Sequence, residues 1–349
     1  MKHVKLSATV AVIGAVIGAI FFSSCNRNTT TPTNIANNAE VARQVETPPG
    51  VRAKLGLHTR KTWMEFITQP RQLQANSFSI WLINVWQSGK TATRSRNRVP
   101  DFQMERNRLM HLFVVSKDLS FFQRVYPIHK GNGHFMIEQT LPRAGEFKLF
   151  ADYTPVDGLR EVAQKTFVVN GAKLPRVPLV ADVFAANANA NANAIASAQA
   201  QAKSATKRVI SEAEGNQDAG ALLYNVRLTL PKNVVAARAV EMRFRVMDGQ
   251  GAALSDLEPF LGAFAQAVVL SGDGEIFVDV RRADETSTRL SYANEVAPDD
   301  SIDTRRGGPE VVFRTTFPAS GLYKIWAQFR HRNRVITAPF VLNVSPETR

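Results

Sequence analysis

The chain contains a single cysteine, Cys25, whose position suggests a chemistry for its thiol. A basic N-terminus, an apolar run over residues 8–22 and two serines precede it, in the order of a secretory signal. The run is shorter than the roughly 20 apolar residues that cross a bilayer. We therefore predict cleavage after residue 24 and attachment of a lipid such as palmitate to Cys25. An uncleaved N-terminal anchor is the alternative.

A second group of residues could bind a metal ion. Its members are Met110, His111, His129, His134 and Met136. Imidazole nitrogens suit copper and zinc, and thioethers add affinity for Cu(I). We expect His129 and His134, on either side of a turn at 131–133, to lie close across a hairpin. Alternatively, the methionines pack in the core and His111 is a hydrogen-bonded structural residue, so that the chain has no cofactor.

Basic side chains form a third group, which suits an anionic partner. They are Lys90, Arg94, Arg96, Arg98, Arg106 and Arg108, and only Asp101 and Glu105 oppose them locally. The formal net charge of the chain is +13. We favour a solvated basic loop, and contact with an anionic membrane or wall surface is the alternative. Nucleic acid is excluded as a partner because export is predicted.

Common catalytic motifs are missing from the sequence. Residues 88–91 resemble a phosphate-binding loop, but Asn84 stands where that motif requires glycine. A lone cysteine excludes an internal disulfide, a cysteine metal cluster and a cysteine nucleophile in the folded part. Acidic residues that could hold a hard cation such as calcium, or remain solvated, are Asp299, Asp300 and Asp303. We predict that the chain is not an enzyme.

The elements that must position these side chains are predicted to be strands. Segments rich in β-forming residues lie at 78–86, 112–115, 147–150, 166–169, 226–230, 240–246, 267–270, 311–317, 322–329 and 335–344. Short strands at regular spacing, separated by turn residues, indicate antiparallel sandwiches.

Two low-complexity stretches separate or precede the strands. Residues 26–50 are rich in Asn, Thr and Pro, which is typical of a flexible tether. Residues 185–205 alternate Ala with Asn and then contain Ala, Ser and Gln, which we interpret as a linker. Residues 202–214 favour helix by composition, so the linker is expected to be partly helical.

The two halves of the chain repeat each other. The residues Asp101, Val114, Ser116, Asp118 and Phe122 match Asp256, Val269, Ser271, Asp273 and Phe277 at an offset of 155 (256 minus 101). Residues 140–149 match 316–325 at an offset of 176 (316 minus 140). The second copy therefore carries 21 extra residues (176 minus 155), which we place within 282–309. Matched strand and turn positions at constant offsets predict a duplicated module.

Residues 109–122 resemble the core of bacterial exported proteins known as YtkA-like, whose modules are immunoglobulin-like or cupredoxin-like sandwiches. Residues 256–263 and Phe317-Pro318 resemble the same pattern in the second copy, and the resemblance covers most of 60–170 and 222–345. It implies a connection with copper or other heavy metals.

The sequence departs from this family at the metal-binding positions. Where the pattern has His-x-His-Pro, the first copy has residues 124–127, which begin with Arg124, and the second copy has Asp279 and Arg281. His111 is retained before the central strand, but its match in the second copy is Gln266. Because arginine has no free lone pair at neutral pH, few ligands of any such site remain.

The sequence predicts an all-β chain of two tandem immunoglobulin-like antiparallel β-sandwiches joined by a low-complexity, partly helical linker. The expected boundaries are a signal at 1–24, a tether at 25–55, sandwiches at 56–172 and 221–349, and a linker at 173–220. We expect a lipoprotein of the cell membrane or outer membrane, facing the periplasm or exterior. Its expected role is non-enzymatic binding or scaffolding, with other envelope proteins or anionic envelope polymers as partners. Copper or heavy-metal binding by the first module is the alternative.

Overall fold

The computed structural model describes residues 61–88, 96–172, 174–186, 202–210, 222–278, 280–282 and 304–347. The predictions that lie outside these residues concern the signal, Cys25, the tether, Lys90, Arg94, Asp279, most of the insertion, Asp299, Asp300 and Asp303. Every element in the described part of the chain is a strand or a turn, which confirms the all-β prediction. None of the described residues belongs to a helix that could span a membrane.

The first sandwich consists of ten strands. They are β1 (Thr62–Gln69), β2 (Leu73–Gln74), β3 (Phe78–Ser88), β4 (Arg96–Arg98), β5 (Met110–Ser116), β6 (Phe122–Val125), β7 (Ile128–Gly131), β8 (His134–Thr140), β9 (Gly145–Tyr153) and β10 (Glu161–Asn170). Sheet 1 has the order β1-β3-β8-β7, with β4 also on β3, and sheet 2 has the order β2-β10-β9-β5-β6. Side chains such as Trp81 and Phe135 of sheet 1 meet Leu112 and Phe147 of sheet 2 in one buried cluster. Each such side chain contributes roughly 1.5–3 kcal/mol when it leaves water.

The second sandwich repeats this arrangement. Its strands are β11 (Ala185–Ala186), β12 (Ala202–Ile210), β13 (Leu223–Pro231), β14 (Ala239–Asp248), β15 (Ala265–Ser271), β16 (Phe277–Val278), β17 (Arg281–Arg282), β18 (Glu310–Thr316), β19 (Gly321–His331) and β20 (Arg334–Val344). Sheet 3 has the order β16-β15-β19-β20, and sheet 4 has the order β11-β12-β13-β14-β18-β17. A second cluster, which includes Phe244, Phe313 and Phe340, fills the space between these sheets.

Strand registers reproduce the two sequence offsets. Leu112 of β5 pairs with Ala151 of β9, and Ala267 of β15 pairs with Ala327 of β19, at offsets of 155 and 176. The β1–β3 ladder corresponds to the β13–β14 ladder at offsets of 162 (229 minus 67) and 161 (243 minus 82), and the β3–β8 ladder corresponds to the β14–β18 ladder. Two residues at the same place in the two sandwiches are called equivalent below.

Equivalent turns also share their hydrogen bonds. Ser116 Oγ donates to Asp118 Oδ1 at 2.6 Å and accepts from the Phe121 N–H at 2.9 Å. In the second sandwich Ser271 donates to Asp273, and the Ile276 N–H donates to Ser271 Oγ at 2.9 Å. The Ser-x-Asp matches in the sequence therefore correspond to one turn structure, because these side chains satisfy backbone groups of the turn.

Two described parts of the expected linker are ordered against the second sandwich. The Asp182 N–H donates to Val341 O at 2.9 Å, and the Val341 N–H donates to Asp182 Oδ2 at 2.8 Å. Residues 202–210, expected to be partly helical, form strand β12, which pairs with β13 along its whole length. The helical prediction is wrong because tertiary pairing outweighs propensity: Ala205 and Val209 pack on the second core while the backbone pairs with β13.

Sheets 2 and 3 pack against each other through their outward faces. The buried cluster between them contains Phe113, Val115, Leu119, Phe150, Val268, Leu270 and Trp326. Phe122 stacks on Trp326 with ring centroids 4.8 Å apart, and the equivalent pair, Phe277 and Phe150, is 5.9 Å apart. Gly274 and its equivalent, Leu119, also lie against each other at this interface. A Cβ atom added to Gly274 would be 3.5 Å from Leu119 Cδ2.

Exchange of contacts between equivalent residues is the signature of an isologous, twofold interface. The two sandwiches thus contact each other as the subunits of a symmetric dimer do. Sheets 1 and 4 are the outer layers of the four described sheets, and each has one face turned away from its own core.

Candidate functional site

The proposed metal ligands occupy three separate environments. Met110 is buried in the first core. His129 lies on the core-facing side of sheet 1 and packs against Phe135, with ring centroids 4.6 Å apart. His134 and Met136 lie on the opposite face of that sheet, because alternate residues of a strand point to opposite faces. The structure therefore does not bring His129 and His134 together. No group of three or more His, Cys, Asp or Glu within the described ranges is arranged to hold a metal ion.

His111 lies on the outward face of sheet 2, beside the contact with sheet 3. Its Nε2 is 3.0 Å from Glu105 O, and the ring is 2% exposed. Burial lowers the pKa of His111 to about 3, with a further contribution from Arg124. Its equivalent, Gln266, donates to Phe260 O at 3.3 Å, and Phe260 is the equivalent of Glu105. Both side chains therefore hold the loop that precedes the strand.

Arg124, which stands where the YtkA-like pattern has a histidine, is also buried beside this interface. Its guanidinium carbon is 4.9 Å from the ring centroid of Phe113. Burial lowers the pKa of Arg124 to about 10, while the Tyr126 hydroxyl and Asp152 favour the charged form. These two neighbours offset part of the cost of burying the cation.

The described members of the basic group lie in two places. Arg98 of β4 lies on sheet 1, with its guanidinium carbon 4.8 Å from the ring centroid of Trp86. Arg106 and Arg108 lie in a turn near the second sandwich, where Arg108 Nη1 donates to Asn107 O at 2.7 Å. For Arg96 the structure describes only the backbone, in β4. Among the described members, Arg98 therefore lies apart from Arg106 and Arg108.

The face of sheet 1 that points away from the core carries an apolar row across four strands. Ile67 pairs with Leu82, Leu82 with Met136, and Met136 with Ile128, so that these four side chains are neighbours on one face. Ile128 is 60% exposed and Ile67 is 38% exposed. We call this surface the sheet 1 face. Phe78, at 58% exposure, lies near its end.

Beside the apolar row, the sheet 1 face carries a polar row and then an aromatic row. Trp63 pairs directly with Trp86, and Arg98 stacks on Trp86. Between these rows Glu65 accepts hydrogen bonds from Asn84 Nδ2 at 2.9 Å and from Trp86 Nε1 at 3.2 Å. The Asn84 hydrogen bond lowers the pKa of Glu65, with help from Trp86 and Arg98. The carboxylate is therefore held in place and ionised at neutral pH.

His134 completes the polar row, since it pairs with Asn84 on the same face. Partial burial and the nearby Arg98 lower the pKa of His134, while Glu65 opposes the shift. The imidazole is consequently neutral at neutral pH. The sheet 1 face thus offers apolar, aromatic and hydrogen-bonding groups side by side.

The equivalent face of sheet 4 has a different chemistry. At the positions of Ile67, Leu82 and Met136 it carries Thr229, Arg243 and Val312, and at the positions of Ile80 and Asn84 it carries Glu241 and Arg245. Charged pairs cross this surface, with Arg245 Nη1 3.1 Å from Glu310 Oε1 and Arg314 Nη2 3.5 Å from Glu241 Oε2. Such a face is typical of a solvated surface.

Sequence reasoning did not single out the sheet 1 face. A signal was present in β3, where Phe78, Ile80 and Leu82 add apolar residues on the side opposite Trp81 and Ile83. The equivalent strand β14 instead alternates charged and apolar residues. Strand β3 is apolar on both faces, and no sheet in the described structure covers the outer face of sheet 1. An uncovered apolar face of this kind indicates a contact surface.

Comparison with known proteins adds little about function. A family model described as a domain of unknown function (DUF8832) matches residues 220–346, which contain most of the second sandwich. A search of curated proteins finds no match.

Three solved structures illustrate the likenesses that exist. The Escherichia coli adhesin FdeC is 12% identical with a TM-score of 0.22, and the match covers 82% of this chain and 66% of that one. A putative membrane anchored protein from Corynebacterium diphtheriae is 8% identical with a TM-score of 0.18, covering 81% and 57%. Invasin, a bacterial integrin-binding protein, is 10% identical with a TM-score of 0.18, covering 82% and 60%. This chain spans less than two thirds of the length of each, and likenesses at these scores carry no argument about function.

Proposed function

We propose that the chain is a non-enzymatic binding protein of the cell envelope, which docks a partner protein on the sheet 1 face. The observation that supports this proposal is the contrast between equivalent surfaces. The sheet 1 face carries Ile67, Leu82, Met136 and Ile128 in one row, whereas sheet 4 carries charged side chains on its equivalent face. Because the fold requires only one apolar face of a sheet, the second apolar face calls for a functional reason.

Residue types on the sheet 1 face favour a protein as the partner. Aromatic residues, methionine and arginine are enriched at the centres of protein interfaces, and Trp86, Met136 and Arg98 belong to these types. The apolar row supplies desolvation energy, and the Glu65 carboxylate with its fixed hydrogen bonds supplies orientation. One of the six basic residues considered for contact with an anionic surface, Arg98, lies on the sheet 1 face, at its edge.

The proposal places the protein at a membrane through a lipid on Cys25. The sequence from the basic N-terminus to the serines before Cys25 is its support. Either the cell membrane or the outer membrane is compatible with this anchor, facing the periplasm or exterior. Membership of the YtkA-like family and the copper alternative stay predictions.

A photo-crosslinking experiment with an internal control tests the docking surface. The crosslinking amino acid p-benzoylphenylalanine replaces Leu82 in one full-length chain and the equivalent Arg243 in another, and both are expressed in the native envelope. We expect a discrete protein adduct from position 82 that is missing from position 243. Ile67→Lys in the chain labelled at position 82 should reduce the yield of the adduct about tenfold, because it places a charge in the apolar row.

The proposal fails if positions 82 and 243 give the same adducts, or if position 82 gives none while the chain is present at its normal level. A separate experiment tests the anchor. Cys25→Ser should move the chain from the membrane fraction to the soluble fraction and remove the mass of the lipid. Retention of the variant in the membrane would indicate the uncleaved signal as the anchor.

A further inference from the structure

Strand β1 is paired on one side only in the described part of the chain. It pairs with β3 through eight residues, and no other described strand lies along its opposite edge. The equivalent strand β13 is paired on both sides, with β14 and with β12. The second sandwich therefore shows that this module accepts an additional antiparallel strand at the edge of β1 that no described strand occupies, which we call the open edge.

The alternation of hydrogen bonds shows which backbone groups face this edge. The Ser88 N–H donates to Lys61 O at 3.1 Å, and the Val85 N–H donates to Gly133 O on the other side of β3. In an antiparallel ladder, alternate residues direct both backbone groups to the same neighbour. It follows that Thr62, Met64, Phe66 and Thr68 direct their N–H and C=O groups to the open edge.

Open edges in soluble proteins are normally protected by charges, proline or bulges. Over its eight residues β1 carries one charged side chain, Glu65, and that carboxylate already accepts hydrogen bonds from Asn84 and Trp86. Its β1 neighbours on the sheet 1 face are Trp63 and Ile67. An edge of this length and composition is a template for strand addition.

We infer that the open edge of β1 binds an extended segment of a partner protein as an antiparallel strand, which extends sheet 1. This inference rests on the proposed function and specifies how the partner of the sheet 1 face is recognised. Backbone hydrogen bonds to Thr62 through Thr68 supply the pairing. The side chains of the added strand then alternate between the sheet 1 face and the edge of the first core.

Strand β12 specifies the side chains that fit. Its residues Ser204, Thr206 and Arg208 stand opposite Thr229, Arg227 and Asn225, which are equivalent to Ile67, Glu65 and Trp63. A segment bound to β1 therefore places apolar residues beside Ile67 and Trp63 and a basic residue beside Glu65. At the inward positions it carries small or β-branched residues, as β12 does with Ala205 and Val209.

The probe is a synthetic peptide of residues 202–210 with three changes, Ser204→Val, Thr206→Lys and Arg208→Val. It is titrated into the full-length chain, and binding is followed by tryptophan fluorescence and by amide exchange of β1. We expect saturable binding about tenfold tighter than that of the unchanged 202–210 peptide. The same probe with N-methyl groups on residues 205 and 207 should bind at least tenfold more weakly, because two backbone hydrogen bonds are lost.

A variant pair of the protein separates backbone pairing from side-chain contact. Thr68→Pro removes an N–H that faces the open edge without removing a bond to β3, and proline is tolerated at such edge positions. It should weaken binding of the probe about tenfold, whereas Thr68→Val, which retains the N–H, should leave binding unchanged. Thermal unfolding of both variants shows that the fold is intact.

Equal binding of the N-methylated and unmodified probes overturns the inference, and so does the absence of saturable binding to either. The inference is also overturned if the chain sediments as a dimer and Thr68→Pro dissociates that dimer, because a second copy of the chain then occupies the edge. If the probe fails while the adduct at position 82 persists, the proposed function stands and only strand addition is rejected. If Thr68→Pro weakens probe binding as expected but position 82 gives no adduct, the proposed docking on the sheet 1 face is rejected. Strand addition at the edge of β1 is then retained.

Discussion

The two sandwiches are alike where they face each other and different where they face outward. Phe122 on Trp326 and Phe277 on Phe150 are equivalent contacts, so that both copies contribute the same surface to their common interface. On the outer sheets, Leu82 of the first copy corresponds to Arg243 of the second. The interface therefore maintains the four-sheet assembly, and the outer faces diverge at the surface where we propose that the first copy binds its partner.

The largest expected effect concerns the shared interface. Trp326→Ala and the equivalent Phe150→Ala should each lower the free energy of unfolding by about 3–5 kcal/mol, because both side chains are buried between sheets 2 and 3. Chemical denaturation measures these changes. Phe78→Ala, at an exposed site, is the control and should change stability by less than about 0.5 kcal/mol. A large loss for only one of the equivalent pair would contradict a symmetric interface.

A second prediction separates His111 from its equivalent, Gln266. The pKa of His111 falls from its ordinary value of about 6.5 to about 3 on folding. Between these two pH values the unfolded chain therefore binds more protons than the folded chain, and the contribution of His111 to stability is complete only above about pH 6.5. That contribution is lost as pH falls from about 6.5 towards 3, by up to about 1.4 kcal/mol per pH unit. His111→Gln should remove this acid dependence while retaining the bond to the loop, as Gln266 does. Denaturation curves at pH 7, 5 and 4 test this, and an unchanged slope would refute it.

A third prediction tests the equality of the two turns. Ser116→Ala and Ser271→Ala each remove the hydroxyl that accepts a backbone N–H and donates to an aspartate. We expect each substitution to cost about 1–2 kcal/mol. Ser116→Thr and Ser271→Thr keep the hydroxyl and serve as controls. Losses that differ more than twofold between the copies would show that the turns are no longer energetically equivalent.

The smallest expected effect concerns the charged face of sheet 4. Glu241→Gln removes the partner of Arg243 and Arg314, but these arginine side chains are half or more exposed, so the cost in stability should be below about 0.5 kcal/mol. Leu82→Arg, which copies Arg243 onto the first sandwich, should likewise change stability little. In a chain that carries the crosslinking amino acid at position 67, it should abolish the adduct. Denaturation and crosslinking measure the two effects. A large destabilisation by Leu82→Arg would make the sheet 1 face a structural surface.

The duplication could be predicted from the sequence because turn residues determine local structure. Ser116 and Asp118 satisfy backbone groups within one turn, so their match with Ser271 and Asp273 carries direct structural meaning. The pairing of β12 could not be predicted in this way. Its residues favour helix, and only contact with β13 and the second core makes them a strand.

The sheet 1 face could not be identified from the sequence for a related reason. Both β3 and β5 are apolar on their two faces, and each therefore resembles a strand that is buried on both sides. The outward face of β5 is covered by sheet 3, whereas no described sheet covers the corresponding face of β3. Which of the two surfaces is covered depends on how the sandwiches dock, and that is not encoded in the periodicity of either strand.

The isologous interface has a consequence for valency. Two separate copies of one module, joined by such an interface, must display every surface twice, and an apolar binding face would then make a bivalent particle that links partners into networks. Fusion of the copies in one chain removes this obligation, because each copy can change alone. With Leu82 on one outer layer and Arg243 on the other, the assembly retains the stability of a dimer but carries the proposed binding face only once.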